Sequence, residues 1–166
     1  MKWYIMSSSG MKWHVSFPPK NTMLIGQHVH TLDPKKRISL PAKFRKELGK
    51  KVVLTNGLDH CIFVYSIKEW QAIASKLGNL GFGNASTRSF NRFLLGGAEE
   101  VEIDSAGRIL VPEFLKDFAG LQEKVILTGV QNRVEIWDEA RWSTYVKNVA
   151  QEADALAEKL GEVGLI

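Results

Sequence analysis

Asp33-Pro34-Lys35-Lys36-Arg37-Ile38-Ser39-Leu40-Pro41 and Asp104-Ser105-Ala106-Gly107-Arg108-Ile109-Leu110-Val111-Pro112 are two copies of one motif. Aspartate, arginine, isoleucine and proline stand at the same places in both copies. Further along each copy, Val52-Val53-Leu54-Thr55 is matched by Val125-Ile126-Leu127-Thr128. The chain therefore contains a duplicated unit, and we expect two similar halves packed on each other.

Each repeat predicts the same order of elements: strand, turn, strand, short helix, strand and strand. Pro41 and Pro112 mark the starts of the short helices, because the first helical turn leaves unused the amide that proline lacks. Gly49 and Gly120 mark their ends, where glycine is the usual stop residue. The predicted helices are Ala42–Leu48 and Glu113–Ala119, and the predicted strands are Gln27–Leu32, Arg37–Leu40, Lys51–Thr55, Cys61–Tyr65, Glu100–Ile103, Arg108–Val111, Lys124–Thr128 and Arg133–Trp137.

The last two strands of each repeat form a predicted pair joined by a short connector. The connectors, Asn56-Gly57-Leu58-Asp59 and Gly129-Val130-Gln131-Asn132, are rich in residues that favour turns. Four short strands around one small helix cannot bury enough apolar surface alone. We therefore expect the two repeats to interleave and to close one small β-barrel.

Three further helices are predicted, over Ile67–Leu77, Ala85–Leu95 and Glu139–Leu160, with a flexible junction at 78–84. The last carries an apolar stripe typical of an amphipathic helix, at Trp142, Val146, Val149, Ala153, Leu156 and Leu160. The expected organisation is a disordered leader or upstream start (1–22), a first unit (27–70), a helical connector (71–97), a second unit (98–142), and a C-terminal helix and tail (143–166).

Composition narrows the class of protein. The 166 residues are 45% hydrophobic and 24% charged, as in an ordinary globular protein. Cys61 is the single cysteine, which excludes an internal disulfide and a cysteine-rich zinc site and suggests a reducing cytoplasm. No apolar stretch approaches the ~18 residues of a membrane span, so we expect no membrane partner.

The two repeats carry opposite charge. Residues 27–70 contain nine Lys or Arg against four Asp or Glu, and residues 98–142 contain five against ten. The first repeat is thus +5 and the second −5. A basic half is suited to a polyanion, and an acidic half is not.

The Asp-x-x-x-Arg turn is the sharpest local signal. Asp33 can accept amide hydrogen bonds across its own turn, which would leave Arg37 projecting beside Lys35 and Lys36. Adjacent cations repel one another unless an anion neutralises them. The alternative is that both motif arginines form internal ion pairs that close the turns, and this alternative is stronger for Arg108 than for Arg37.

The first short helix contributes further basic residues to the first repeat. The second short helix has the sequence Glu113-Phe114-Leu115-Lys116-Asp117-Phe118, which contains two acidic residues and one basic residue. A run of charge is ordinarily a solvated face, but folding alone gives no reason for two related segments to diverge in this way. The residues expected to contact a polyanion are Lys35, Lys36, Arg37, Lys43, Arg45, Lys46 and Lys50, and the motif turn residues are Asp33, Asp104, Gly107 and Arg108.

Catalysis and metal binding are weakly supported. His28 and His30 share one strand face, but the sequence supplies no third metal ligand. Asp33 and Asp104 are each followed by an arginine that would keep the carboxyl ionised, which makes a poor general acid. We therefore expect no enzyme, metal, cofactor or small-molecule substrate. The aromatic residues that recur in both repeats or lie on the short helices are predicted to be core: Phe44, Tyr65, Trp70, Phe114, Phe118, Trp137 and Trp142.

At these residues the chain resembles the bacterial MraZ family and, more broadly, the AbrB-type swapped-hairpin DNA-binding domain. The resemblance rests on the doubled Asp-x-x-x-Arg-Ile-x-x-Pro, on Phe93-Leu94-Leu95-Gly96-Gly97-Ala98, and on Val134-Glu135-Ile136-Trp137-Asp138 with Trp142. It covers Met23 to about Leu160. It implies an α+β fold in which a pseudo-twofold duplicated AbrB-like unit forms a swapped-hairpin small β-barrel with flanking helices.

The resemblance also implies a function. It implies a cytoplasmic, nucleoid-associated transcriptional regulator of the cell-division and cell-wall gene cluster. Such a protein would bind direct repeats in its promoter as a ring-shaped homo-oligomer on double-stranded DNA. The family's DNA-contacting arginine maps onto Arg37, and its partner maps onto Arg108. The family favours glycine just before that arginine, as the second copy has at Gly107. The first copy has Lys36 at the equivalent position, which predicts a different shape for the first turn.

The expected mechanism assigns DNA to the basic first repeat, with Arg37 on a base edge, and a neighbouring subunit to the acidic second repeat. Two alternatives stay open. One is an AbrB-type antitoxin-like protein-binding module that grips its partner with the helix Glu139–Leu160. The other is a ring scaffold that binds nucleic acid without sequence specificity; RNA binding is less favoured because repeated aromatic stacking residues are lacking.

Overall fold

The computed structural model describes residues 5–6, 12–13, 23–81 and 83–162. The predicted leader and the tail 163–166 lie outside the described residues, apart from a pair of two-residue strands, β1 and β2. The strands are β1 Ile5–Met6, β2 Lys12–Trp13, β3 Leu24–Thr31, β4 Arg37–Ser39, β5 Lys51–Asn56, β6 Ile62–Ser66, β7 Glu99–Glu102, β8 Arg108–Leu110, β9 Lys124–Gln131 and β10 Arg133–Asp138. The helices are α1 Ala42–Leu48, α2 Ile67–Gly78, α3 Ala85–Leu94, α4 Glu113–Ala119 and α5 Glu139–Glu162.

The main sheet has six strands in the order β3-β9-β10-β6-β5-β7, and every neighbouring pair is antiparallel. Its middle consists of one hairpin from each repeat, β5–β6 and β9–β10. Each outer strand comes from the other repeat, because β3 pairs with β9 and β7 pairs with β5. The two repeats are thus interleaved, as the sequence predicts.

A second sheet joins the repeats through β4 and β8. Ile38 lies opposite Ile109, and both side chains are fully buried. Backbone hydrogen bonds between the two repeats continue beyond both ends of this ladder. The amide of Leu40 donates to Gly107 O at 2.9 Å, and the amide of Val111 donates to Lys36 O at 2.8 Å. Each repeat is therefore fastened to the turn of the other.

The core has two parts because strand side chains alternate between the faces of the sheet. The inner part is mainly aliphatic and includes Phe44 of α1 and Leu115 of α4, both fully buried. The outer part consists of Cys61, Phe63, Tyr65, Leu94, Ile126 and Trp137, with Trp70 and Trp142 packed against it. In the described residues, no helix is long and apolar enough to cross a membrane.

The predicted bounds of α1 and α4 are confirmed, and Pro41 and Pro112 stand one residue before them as N-caps. The prediction that Phe114 is core is wrong, since its side chain is 48% exposed. Leu115 and Ala119 face the core at the places that Phe44 and Leu48 occupy in α1. The helical period therefore turns Phe114 to the solvent side, where the first repeat has Lys43.

The predicted connector at residues 129–132 is shorter than expected. β9 continues to Gln131 because β3 pairs with it over Leu24–Gly26, opposite Gly129–Gln131. The reversal into β10 is confined to Gln131, which has a φ of 61°, and Asn132. The α+β class is confirmed, and closure into a swapped-hairpin barrel stays a prediction.

Candidate nucleic-acid interface

The Asp33–Arg37 loop (turn 1) is closed by the carboxylate of its first residue. Asp33 Oδ1 accepts hydrogen bonds from the amides of Lys35 at 2.8 Å and Arg37 at 2.9 Å. Asp33 Oδ2 accepts one from Arg37 Nε at 2.7 Å, and Arg37 Nη2 lies 2.6 Å away. The alternative that the sequence left open, an internal ion pair, is the arrangement in this turn.

The Asp104–Arg108 loop (turn 2) is built in the same way. Asp104 Oδ1 accepts from the amides of Ala106 and Arg108, each at 2.9 Å. Asp104 Oδ2 accepts from Arg108 Nε at 2.8 Å. Hydrogen bonds from the Arg37 guanidinium and then from backbone amides hold the pKa of the Asp33 carboxyl below its ordinary value. For Asp104 the pKa is lowered first by the backbone amide of Arg108 and then by its guanidinium. Both carboxylates therefore stay ionised at neutral pH.

The prediction that Lys36 gives turn 1 a different shape is wrong. Lys36 has a φ of 59° and Gly107 a φ of 78°, so both occupy the left-handed region. The amide of each donates to the carbonyl of its turn's aspartate at 2.8 Å. Left-handed backbone costs a lysine about 1–2 kcal/mol. The Lys36 side chain forms an ion pair with Glu113 of α4, which offsets part of that cost.

The β4–β8 register brings the two motif arginines onto one surface. Arg37 lies opposite Leu110, and Arg108 lies opposite Ser39. Because Ile38 and Ile109 point into the core, both arginines are on the outward face, one diagonal step apart. Their side chains are 29% and 33% exposed. Neither repeat alone could reveal this pairing, since it depends on the register between two distant segments.

Strand exchange separates the predicted cations into two places. Turn 1 lies against α4, through the Lys36–Glu113 ion pair, and we call this region the first corner. Turn 2 lies against α1, where the Arg45 side chain covers Gly107, and we call this the second corner. The short helix of the first repeat, α1, thus lies against turn 2 of the second repeat. Lys35, Lys36 and Arg37 are in the first corner, and Arg45 and Lys50 are in the second.

The cations differ in how far they are neutralised. Lys43 Nζ donates to Ile25 O at 3.3 Å. Within the described residues, no carboxylate pairs with Lys35, Arg45, Lys46 or Lys50. Arg45 is half-buried and the three lysines are exposed. These four side chains are available to an external anion.

His28 and His30 do not form part of this interface. The His28 ring packs edge-on against Phe44, with ring centroids 5.1 Å apart. Burial lowers the pKa of His30, with a further contribution from His28. Among the residues that the structure describes, no group of three or more His, Cys, Asp or Glu side chains could hold a metal ion.

Comparison with known proteins identifies the relatives of this chain. The family model described as "MraZ protein, putative antitoxin-like" matches residues 23–93 and again residues 94–161. A protein of Acetivibrio thermocellus, named Transcriptional regulator MraZ, is 43% identical over 143 residues, which are 86% of this chain and 100% of the relative. Relatives of the same name are 48% identical in Thermoanaerobacter sp. (strain X514), over the same shares of both chains, and 49% identical in Caldanaerobacter subterraneus subsp. tengcongensis, over 83% of this chain and 96% of the relative.

These matches cover both repeats, and the curated relatives are named as regulators. The prediction that the protein is not an enzyme is therefore confirmed, as is the resemblance drawn from the doubled motif. The chain belongs to the MraZ family.

Proposed function

We propose that this protein is a transcriptional regulator that binds double-stranded DNA with sequence specificity. The observation that carries the proposal is the outward face of the β4–β8 ladder, where Arg37 and Arg108 lie together. A two-stranded β-ribbon fits the major groove, and arginine is the commonest specific partner of guanine there. The name of the relatives, Transcriptional regulator MraZ, supports the same function.

The ion pairs of the two turns prepare the arginines for this role. Each aspartate binds its arginine through Nε and Nη2, and so fixes the plane of the guanidinium. The edge that carries both terminal nitrogens can still donate to the two acceptors of a guanine. A side chain held in advance loses less conformational freedom on binding than a mobile one. Arg37 reads one base edge and Arg108 a second.

The surrounding cations contact phosphates. Lys35 and Lys36 extend the surface beside Arg37, and the basic residues of α1 and its end extend it beside turn 2; the proposed contacts are Lys43, Arg45, Lys46 and Lys50. Phosphate contacts fix the register on DNA and make binding depend on salt. With three or four phosphates neutralised per engaged subunit, the slope of log affinity against log salt is roughly −3.

We also infer the assembly and setting that the family resemblance implies. The repeats form an AbrB-like swapped-hairpin barrel, and subunits join into a ring that reads direct repeats upstream of the cell-division and cell-wall gene cluster, in the nucleoid. The exposed apolar residues Val146, Leu156 and Leu160 of α5 support contacts between subunits. A ring gains avidity because several subunits engage spaced sites at once.

The proposal is tested by footprinting on the DNA upstream of the protein's own gene, with a scrambled duplex of equal composition as the control. Protection at regularly spaced sites is expected only on the native duplex. Equal affinity for both duplexes would instead support the scaffold that binds without sequence specificity.

An antitoxin-like protein-binding module is the second candidate. The description of the matching family model contains the word antitoxin-like, and the side chains of α5 beyond Tyr145 are largely exposed. Its test is purification from the native host. A small protein that co-purifies in fixed ratio, and is lost on removal of residues 146–162, would favour this candidate over DNA binding.

A further inference from the structure

The second corner contains a pocket. It has a volume of about 440 Å³ and is lined by Arg45, Lys50, Lys51, Glu102, Asp104 and Gly107, among others. Pockets of roughly 300–1,000 Å³ hold small molecules in other proteins. The pocket lies between the end of α1 and turn 2, beside the arginine face but distinct from it.

The two carboxylates in the lining already have partners. Asp104 is bound by Arg108 and by two backbone amides. Glu102 lies 3.4 Å from Lys51 Nζ, which also contacts Glu100 at 3.2 Å. These ion pairs raise the pKa of Lys51, which keeps its ammonium charged. Asp104 is thus neutralised by Arg108, and Glu102 shares Lys51 with Glu100, so that two cations of the lining are left without an ion pair among the described residues.

Arg45 and Lys50 are those remaining cations. Arg45 Nε is shielded from solvent, and no group among the described residues accepts a hydrogen bond from it. A buried donor without an acceptor is costly, and a charged one more so. Lys50 is exposed and has no carboxylate partner in the described part of the chain. An anion in the pocket that contacts both side chains would neutralise their charges.

Gly107 makes room for this arrangement. A Cβ at that position would overlap the guanidinium of Arg45, so any larger residue would displace the side chain. The equivalent position in the first corner is Lys36, whose side chain reaches Glu113. Lys116, which corresponds to Arg45, lies 3.8 Å from Glu113 and 3.9 Å from Asp117. Lys36 and Lys116 are thus paired with carboxylates in the first corner, whereas Arg45 and Lys50 have no such pair among the described residues of the second.

From this difference we propose that the second corner binds a phosphate group. Arginine presents a fork that matches phosphate oxygens, and lysine adds a point charge. The phosphate has two chemical sources, the DNA backbone and a free phosphate or phosphomonoester. The first source rests on the proposed function, and the second does not.

The experiment has two arms, both using the full chain and the variant pair Arg45→Gln and Lys116→Gln. In the first arm, the melting temperature is measured with inorganic phosphate or with chloride at equal ionic strength. Phosphate at about tenfold excess over its dissociation constant is expected to raise the melting temperature by roughly 3 °C. Arg45→Gln should lose this rise, and Lys116→Gln should keep it.

In the second arm, DNA affinity is measured against salt. If the backbone fills the pocket, Arg45→Gln lowers the steepness of the log–log slope by about 0.9, while Lys116→Gln leaves it unchanged. Either a phosphate-specific rise or this change of slope supports the proposal, and identifies the source.

The proposal would be overturned if phosphate and chloride gave the same melting temperature and if both variants gave the same slope of log affinity against log salt. If the wild-type protein binds no DNA at all, the proposed function fails. The melting-temperature measurement alone then decides whether the pocket binds phosphate. Lys50→Gln, a change on an exposed side chain, repeats the comparison should Arg45→Gln fail to fold.

Discussion

The first and second corners are built from equivalent parts and differ in what fills them. Both contain an Asp-x-x-x-Arg turn with the same hydrogen bonds, and both set that turn against a short helix of the other repeat. In the first corner a lysine reaches an acidic helix. In the second corner a glycine leaves space beside a basic helix. The comparison teaches that the net charge of a repeat does not describe any one surface, because strand exchange mixes the two repeats.

The largest expected effect compares the buried residues of the two short helices. Phe44→Ala should reduce the free energy of unfolding by about 3–5 kcal/mol, because the side chain is fully buried in the inner core. Leu115→Ala, at the equivalent place, should cost about 2–5 kcal/mol. Urea unfolding followed by circular dichroism measures both. Phe114→Ala is the control and should cost less than about 1 kcal/mol, since that side chain is exposed; a loss as large as that of Leu115→Ala would contradict the assigned helix face.

The next effect compares the two arginines on DNA. Arg37→Ala and Arg108→Ala should each weaken specific binding by about 1–3 kcal/mol, because each removes a contact to a base edge. Titration of labelled promoter DNA measures the affinity, and circular dichroism checks the fold. Lys147→Ala on the exposed part of α5 removes the same charge and should leave affinity unchanged. A loss confined to Arg37 would restrict base reading to the first repeat.

A smaller effect compares the left-handed positions of the turns. Gly107→Ala should destabilise the protein by about 1–2 kcal/mol through backbone strain, with a further loss from the displacement of Arg45. Lys36→Gly should stay within about 1 kcal/mol of the wild type, because relief of strain offsets the loss of the Glu113 ion pair. Thermal unfolding of both variants provides the measurement. Equal destabilisation by Gly107→Ala and Lys36→Gly would show that the left-handed positions of the two turns do not differ in their requirement for glycine.

The smallest effect concerns pH. The pKa of Asp33 and of Asp104 is below its ordinary value, which is near 3.8. A lowered pKa in the folded protein stabilises it above the unfolded value, and this contribution disappears as the pH falls through the folded value. Asp33→Asn and Asp104→Asn should therefore destabilise the protein at neutral pH and differ little from wild type at strongly acidic pH. Chemical unfolding across this range measures the difference, with the exposed Asp154→Asn on α5 as the control; a deficit that persists unchanged in acid would assign the effect to geometry rather than to charge.

Much of the fold could be predicted from local signals. The bounds of α1 and α4 followed from a proline at one end and a glycine at the other. The hairpins β5–β6 and β9–β10 followed from apolar runs joined by turn-forming residues. The prediction for Phe114 failed because an aromatic residue in a short helix can face either side, and seven residues give too few turns to define a stripe. The extension of β9 was missed because it depends on pairing with β3, which is distant in sequence.

The sequence by itself determined that the chain contains a duplicated unit, which residues form its turns, and that its charge is uneven. Those properties depend on the identity and spacing of residues that are close together in the sequence, so they can be recognised without knowledge of the tertiary structure. Only the tertiary structure decided that Arg37 and Arg108 share one face, that α1 lies against turn 2, and that Arg45 Nε has no hydrogen-bond acceptor among the described residues. These depend on strand register and exchange, which are selected by burial of the whole core, so no short segment encodes them.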